Sequence, residues 1–241
     1  PTLNADTVKQ ILDHSDSQLV IIGKLDDWES LRQGLPDDMP GIALPLAPAT
    51  SFPTWEDIIA AHDPISDNPS PSGDQLALMC YTSGSTGTPK GVMHSVNNFM
   101  VTAHTGKTMF SIPNHSKLFS YLPLAHVAER LLTGISGIIS GSEFSFPETL
   151  DTFASDLEKC QPYLFFAVPR IWTKFQEKIL NSIPEKNLNL LLKIPLVNNI
   201  IKKKLKKKLG LSNAKIIVSG AAPLSPSLIK WYQKIGVTIL Q

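Results

Sequence analysis

Cysteine is scarce in this chain. Cys80 and Cys160 are the only two, they are far apart, and neither has a CxxC neighbour. Closely and regularly spaced cysteines mark a disulfide framework or a zinc site, and this chain has neither pattern. We therefore expect both thiols to be reduced and buried, as in a cytoplasmic protein.

The chain also lacks a marked excess of positive or negative charge, and it has no long apolar run. The formal net charge is +1, so no overall field directs the chain to nucleic acid. The longest apolar stretch, residues 131–139, is interrupted by Gly134 and Gly137. It is far shorter than the roughly 20 residues that span a bilayer. No signal-peptide pattern opens the chain, and a hydrophobic content of 42% predicts a packed core.

Both ends look internal to a longer sequence. The chain lacks a starting methionine, and it ends on the apolar run 237–240 with only Gln241 after it. A strand that stops at the last residue is unusual for a natural terminus. We therefore expect cuts at both ends.

Strand-like and helix-like segments alternate along the chain. Strands are predicted at 18–22, 76–81, 118–122, 163–168, 215–218 and 237–240, with an edge strand at Phe144 and Phe146. Helices are predicted at the start of the chain and at 26–33, 54–62, 95–109, 125–136, 150–159, 171–180, 193–209 and 226–235. This alternation predicts an α/β fold, a mainly parallel sheet with helices on both faces, in which ligands bind at the carboxyl ends of strands. Residues 63–74 are polar and proline-rich, so we divide the chain into subdomains 1–75 and 76–241.

The segment from Tyr81 to Val92 reads Tyr-Thr-Ser-Gly-Ser-Thr-Gly-Thr-Pro-Lys-Gly-Val and directly follows a predicted central strand at 76–81. Glycines allow a sharp turn that brings N–H groups close to a ligand, hydroxyls add neutral donors, and Lys90 adds a charge suited to phosphate. The Walker pattern fails because Pro89 precedes Lys90, and the glycine spacing does not fit GxGxxG. A flexible Gly/Ser/Thr linker is the alternative.

This segment resembles the phosphate loop of the adenylate-forming superfamily, which includes acyl- and aryl-CoA synthetases, luciferases and peptide-synthetase adenylation domains. Two further segments resemble its later motifs in the same order: Tyr-Leu-Pro-Leu-Ala-His-Val-Ala-Glu-Arg from Tyr121, and Val-Ser-Gly-Ala-Ala-Pro-Leu from Val218. The resemblance extends over essentially the whole chain. It implies part of the large N-terminal domain, with the small C-terminal domain absent.

The resemblance also implies roles for single residues. The β- and γ-phosphates of ATP would be held by Thr82, Ser83, Gly84, Ser85, Thr86, Gly87 and Lys90. His126 would line the carboxylate pocket, although a histidine at a helix start is also a common capping residue. The adenine would be bordered by Gly220, Ala221 and Ala222, which on their own indicate only a turn of small residues. No metal ligand is assigned.

Further features resemble the long-chain fatty-acyl group. Glu129 and Arg130 end the second motif, and Arg170 and Trp172 follow a predicted strand, where ordinary helix-start packing is the alternative. The implied activity is AMP-forming fatty acid–CoA ligation with ATP, Mg²⁺ and CoA. The segment that holds magnesium in the family would follow Gln241, so we expect this piece alone to be inactive. A ligase for another carboxylic acid and a nucleotide-binding module without turnover remain alternatives, and a membrane-binding structural protein is a more distant one.

Six lysines lie between Lys202 and Lys208. With Ile201, Leu205 and Leu209 on one helical face, the pattern indicates a solvated helix with one buried stripe. A peripheral contact with an anionic membrane is the second interpretation. Nucleic-acid binding is the third and the weakest, because no aromatic side chains accompany the lysines.

Overall fold

Helices and strands alternate through the residues that the computed structural model describes, 3–83 and 88–241. The α-helices are Ala5–Ser15 (α1), Trp28–Leu31 (α2), Trp55–Ala61 (α3), Val96–Met109 (α4), Ser136–Ile139 (α5), Phe153–Cys160 (α6), Pro169–Ser182 (α7), Glu185–Lys193 (α8), Pro195–Lys208 (α9) and Pro226–Lys234 (α10). The strands are Val20–Ile22 (β1), Gly41–Ala43 (β2), Leu76–Ser83 (β3), Pro89–Ser95 (β4), Lys117–Phe119 (β5), Glu143–Ser145 (β6), Leu164–Ala167 (β7) and Ile216–Ser219 (β8).

The chain divides into two compact units, Pro1–Phe99 and Met100–Gln241. The sequence suggested a boundary at residue 75 instead, which would group residues 76–99 with the later sheet. That boundary stays a prediction. In the first unit, β1 and β2 pair in parallel. Thr54 caps helix α3, where its hydroxyl accepts the Asp57 N–H and the Asp57 carboxylate accepts the Thr54 N–H. The Thr54 hydroxyl also donates to Asp57 Oδ2 at 2.6 Å, and this bond, together with the one from the Thr54 N–H, lowers the pKa of Asp57.

Strands β3 and β4 form an antiparallel hairpin. The prediction of a central strand at 76–81 is therefore wrong, because β3 belongs to a two-stranded sheet among the described residues. The flanks of the hairpin are open to solvent, with Leu76 54% and Met93 69% exposed. The apolar run from 76 suggested a strand covered on both sides. The sequence analysis predicted no strand between the loop and the helix at 95–109, so it missed β4.

The second unit contains a four-stranded sheet in the order β6-β5-β7-β8, and every pair of neighbours is parallel. This confirms the α/β fold class, with β6 at the predicted edge. The predicted strand 237–240 is reduced to a bridge between Leu240 and Val218. Successive side chains point to opposite faces, as strand geometry requires.

Helices cover both faces of this sheet. One face presents Phe119, Phe165 and Ile217 to a large core cluster that includes side chains from α6, α7, α9 and α10. The other presents Leu118, Leu164, Phe166 and Ile216. Helix α5 approaches this second face so closely that a Cβ on Gly137 would meet the Phe144 ring at 2.3 Å.

Trp172 and Tyr232 lie at the centre of the large cluster, and both are fully buried. The Trp172 indole donates to the Ala167 carbonyl at 3.2 Å, and the Tyr232 hydroxyl donates to the Trp172 carbonyl at 2.6 Å. Burial raises the pKa of Tyr232. The packing interpretation of Trp172 is therefore confirmed. Both cysteines are free and buried, as predicted.

The predicted helix at 125–136 takes a different form. Residues Glu129–Ile135 form a π-helix that continues into α5. Such widened turns are rare and occur often at functional sites. The basic helix α9 forms as predicted, preceded by α8, which the sequence interpretation missed. Among residues 3–83 and 88–241, no helix has the length and apolar character needed to cross a bilayer.

We predict that Tyr232→Phe lowers the free energy of unfolding by about 1–2 kcal/mol, because the buried Trp172 carbonyl loses its donor. Tyr163→Phe is the matched control, since its hydroxyl donates to the Ser111 carbonyl from a half-buried position. We expect a smaller loss there, because water can replace the donor. Urea unfolding followed by tryptophan fluorescence measures both. A larger loss for Tyr163→Phe would contradict the central place given to Tyr232.

Candidate functional site

The predicted phosphate loop joins the two arms of the β3–β4 hairpin. Its residues Gly84, Ser85, Thr86 and Gly87 lie outside the described residues, while Thr82 and Lys90 are exposed on the arms. Thr82 and Lys90 are directly opposite in the register, as are Ser83 and Pro89. Opposite residues of an antiparallel pair share one face. The lysine and one hydroxyl of the motif therefore flank the loop on the same face of the hairpin.

The loop end of the hairpin is anchored to helix α1. The Tyr81 hydroxyl and the His14 Nδ1 are 2.7 Å apart. Tyr81 is opposite Gly91, where a Cβ would lie 3.1 Å from the tyrosine ring. Glycine at 91 thus leaves room for the ring that fixes the hairpin. The sequence interpretation missed this role of His14, for which no local signal exists.

The second motif forms a turn after β5 that is tied down at several points. The Tyr121 hydroxyl donates to the Phe166 carbonyl at 3.0 Å. The Leu122 N–H donates to Glu129 Oε2 at 3.1 Å, and Arg130 Nε donates to the Leu124 carbonyl at 2.7 Å. Glu129 and Arg130, which the sequence offered only as marks of a subgroup, therefore cross-link the turn that precedes them.

His126 lies inside this turn and is half-buried. Its imidazole Nδ1 accepts the Ala128 N–H at 3.3 Å. Its backbone N–H donates to the Pro123 carbonyl at 2.8 Å. The capping interpretation of His126 is therefore confirmed. With Nδ1 accepting, the neutral imidazole carries its proton on Nε2. His126 can accordingly cap the helix and still offer one N–H donor.

Glu129 is 3% exposed, and its Oε1 has no hydrogen-bond partner among the described residues. It lines a small cavity of about 10 Å³ together with Tyr121, Thr133 and Phe166. Such a space is close to the minimum that holds one water. Burial raises the pKa of Tyr121, and the negative charge of Glu129 raises it further. A neutral Tyr121 hydroxyl can keep its proton for the Phe166 carbonyl.

The third motif follows β8 at the carboxyl edge of the sheet. A Cβ on Gly220 would lie 2.7 Å from the Phe166 ring, and Ala221 has the left-handed φ of +67°. Such a φ is strained for alanine and is found often at ligand-binding positions. Ser219 is buried, and its hydroxyl has no partner among the described residues.

Phe166 brings the second and third motifs together. Its carbonyl holds Tyr121, and its ring fills the space beside Gly220. The hairpin belongs to the first unit and these two motifs to the second. The roles of all the predicted site residues in binding stay predictions. The described residues contain no group of three or more His, Cys, Asp or Glu side chains able to hold a metal ion.

Comparison with known proteins agrees with these motifs. All residues, 1–241, match the family described as AMP-binding enzyme. The chain belongs to this family. Similar curated proteins include the peroxisomal long chain acyl-CoA synthetase 6 of Arabidopsis thaliana, which is 28% identical over 95% of this chain and 37% of its own length. A long-chain-fatty-acid–CoA ligase of Homo sapiens is 24% identical over 99% of this chain and 42% of its own length.

Solved structures show the same fold. The adenylation domain of a carboxylate reductase from Mycobacterium chelonae superposes with a TM-score of 0.74 at 20% identity, over 98% of this chain and 41% of that one. An anthranilate CoA ligase in complex with anthranoyl-AMP gives a TM-score of 0.71 at 18% identity, over 99% of this chain and 43% of that one. The chain therefore spans about two fifths of the length of each of these four proteins.

Gly220→Ala is predicted to lower the free energy of unfolding by about 1–3 kcal/mol, because the new methyl group overlaps the Phe166 ring. Ala221→Gly is the matched change at the next residue. It removes the strain of the left-handed φ, which is about 1–2 kcal/mol. The greater conformational entropy of glycine in the unfolded chain offsets part of this gain. We expect its stability to equal or slightly exceed the parent's. Denaturant unfolding measures both, and equal losses for the two variants would contradict this local geometry.

Proposed function

We propose that the whole protein, of which this chain spans a part, is a long-chain fatty acid–CoA ligase. A fatty acid carboxylate attacks the α-phosphorus of ATP and gives an acyl-adenylate and diphosphate, and the thiol of CoA then displaces AMP. The observation that carries this proposal is the hairpin, which presents Thr82 and Lys90 on one face beside a loop of glycines and hydroxyls. The names of the relatives support the acid class.

In this proposal the hairpin binds and orients the phosphates of ATP. The hydroxyls and N–H groups of Thr82, Ser83, Gly84, Ser85, Thr86 and Gly87 donate to the β- and γ-phosphate oxygens. Lys90 neutralises charge that builds up as diphosphate leaves. A bound Mg²⁺ would add further neutralisation of the phosphate oxygens. Anchoring Tyr81 to His14 would keep the arms of the hairpin in place beside the bound phosphates.

His126 is proposed to line the carboxylate pocket. Its Nδ1 is occupied by the Ala128 N–H, so its Nε2–H is the donor that it can offer to a carboxylate oxygen. Glu129 and Arg130 fix the turn that holds it. Gly220, Ala221 and Ala222 would border the adenine. The absence of a side chain at Gly220 and the left-handed backbone at Ala221 set the path of that segment.

The choice of a long-chain fatty acid as the substrate is a separate part of the proposal. Solved neighbours include enzymes named for other acids, such as anthranilate, so a ligase for another carboxylic acid is the first alternative. A nucleotide-binding module without turnover is the second, and it describes the expected behaviour of this piece alone. Diphosphate release by the whole protein with acids of graded chain length separates these functions, since the module releases none.

We expect Lys90→Ala in the whole protein to slow palmitate-dependent ATP–diphosphate exchange by about 100-fold, the scale of one lost transition-state donor. Palmitate binding should change by less than about twofold, because the lysine is aimed at phosphate charge rather than at the acid. Lys9→Ala is the matched control, since Lys9 is an exposed lysine of the same unit. Parental exchange in Lys90→Ala, or an equal loss in Lys9→Ala, would show that the lysine has been misassigned.

A peripheral contact between the basic helix and an anionic membrane also stays a proposal, as do a cytoplasmic location and the absence of nucleic-acid partners. Leu205 and Leu209 are buried, so the helix has the predicted apolar stripe. Lys203 and Lys207 are exposed on the side away from that stripe. This side is the one best placed to meet a charged surface.

Replacing all six lysines between 202 and 208 with glutamine should abolish much of the binding to vesicles that contain anionic lipid. Each lysine near such a surface contributes about 1 kcal/mol, and salt screens the attraction. Binding to neutral vesicles should not change. Co-sedimentation at two salt concentrations measures both, and equal binding by parent and variant would leave α9 as a solvated helix only.

A further inference from the structure

A groove runs between helices α6, α7 and α9 in the second unit. It encloses about 460 Å³, and its apolar lining includes Phe175, Ile179 and Ile183 from the α7 segment and Ile201 and Leu205 from α9. That volume lies within the range of about 300–1,000 Å³ typical of small-molecule pockets. The groove belongs to the helix layer over the sheet face of Phe119 and Phe165. The groove shares no lining residue with the small cavity beside Glu129, so it is separate from the site at the His126 turn.

Four charged side chains line this groove: Glu158, Lys178, Lys204 and Lys208. Lys208 is paired with Glu158 at 3.4 Å. Lys178 and Lys204 are exposed and form no ion pair among the described residues. The rim therefore carries an excess of positive charge over an apolar floor.

The helical period explains why only part of the basic run reaches the groove. Residues four apart lie on one side of a helix, so the six lysines fall into three pairs. Lys204 and Lys208 line the groove, while the stems of Lys202 and Lys206 approach Gly236, within 4 Å of where its Cβ would be. The third pair, Lys203 and Lys207, is exposed and does not line the groove.

We propose that this groove binds a long-chain fatty acid as its anion, at a site distinct from the one where the acid would be adenylated. The apolar floor suits a single acyl chain, and the lysine rim suits one carboxylate. A hydrophilic anion such as free phosphate would leave the floor uncovered. A protein partner would need an interface of about 800 Å² on each side, much wider than this groove. The binding does not depend on the proposed reaction.

Photolabelling of the whole protein locates the ligand independently of catalysis. The probe is palmitate with a diazirine in its chain, and the readout is the set of labelled peptides. We expect label on peptides from α6, α7 and α9, competed by unmodified palmitate. Lys204→Gln with Lys208→Gln should weaken this labelling by about tenfold, the effect of two partly solvated charges. Lys203→Gln with Lys207→Gln, which removes the same charge from the same helix, should leave it unchanged.

A second variant tests the shape of the site. Ser155 is exposed on α6 and lines the groove, so Ser155→Trp should fill it and abolish the labelling without loss of charge. Thermal melting confirms that each variant is folded. The proposal is overturned if α6, α7 and α9 acquire no competed label, if Ser155→Trp labels like the parent, or if the two lysine pairs lose label equally. The last result would indicate general charge attraction. Palmitate-dependent diphosphate release reports on the proposed reaction and should persist in Ser155→Trp.

Discussion

Strand β7 contributes side chains to both faces of the sheet in the second unit. The central aromatic core and the position of two sequence motifs both depend on this placement. Phe165 and Ala167 face the large aromatic core, while Leu164 and Phe166 face the other side. The Ala167 carbonyl accepts from Trp172, and the Phe166 carbonyl accepts from Tyr121. A single strand therefore joins the stability of the core to the position of two sequence motifs. Because each residue of a strand points away from its neighbours, one short segment can do both.

The turn around His126 depends on a buried carboxylate. Removing Glu129 from water is costly unless its charge is compensated, and one N–H bond from Leu122 compensates it only in part. Tyr121 and Thr133 line the same small cavity. The π-helix begins at this same residue, and such widened turns are rare and often lie at functional sites. Polar contacts therefore hold the turn together with the packing of the Tyr121 ring against Phe153 and Phe165.

The hairpin illustrates one structural feature that hydrophobic patterns in the sequence cannot predict, namely which strand pairs with which. An apolar run such as 76–81 fits a covered central strand or an edge strand equally well, because periodicity reports which side chains are apolar and not what covers them. Pairing decides the matter, and here β3 pairs with β4 across the phosphate loop. His14 illustrates a second limit. It meets Tyr81 across 67 positions of sequence, and no local pattern encodes that distance.

Local chemistry was readable in the sequence itself. Asn4 and Thr54 have short polar side chains and cap the helices that follow them, the second unit alternates strand and helix, and the order of the three motifs indicated the family. These features depend on neighbours a few residues apart. Only the tertiary structure decided that Phe166 joins Tyr121 to Gly220, that Glu129 and Arg130 clamp the turn before them, and that Lys204 and Lys208 face a groove while Lys203 and Lys207 do not. Each of these depends on elements brought together by packing, and a contact between distant residues leaves no period or motif in the chain.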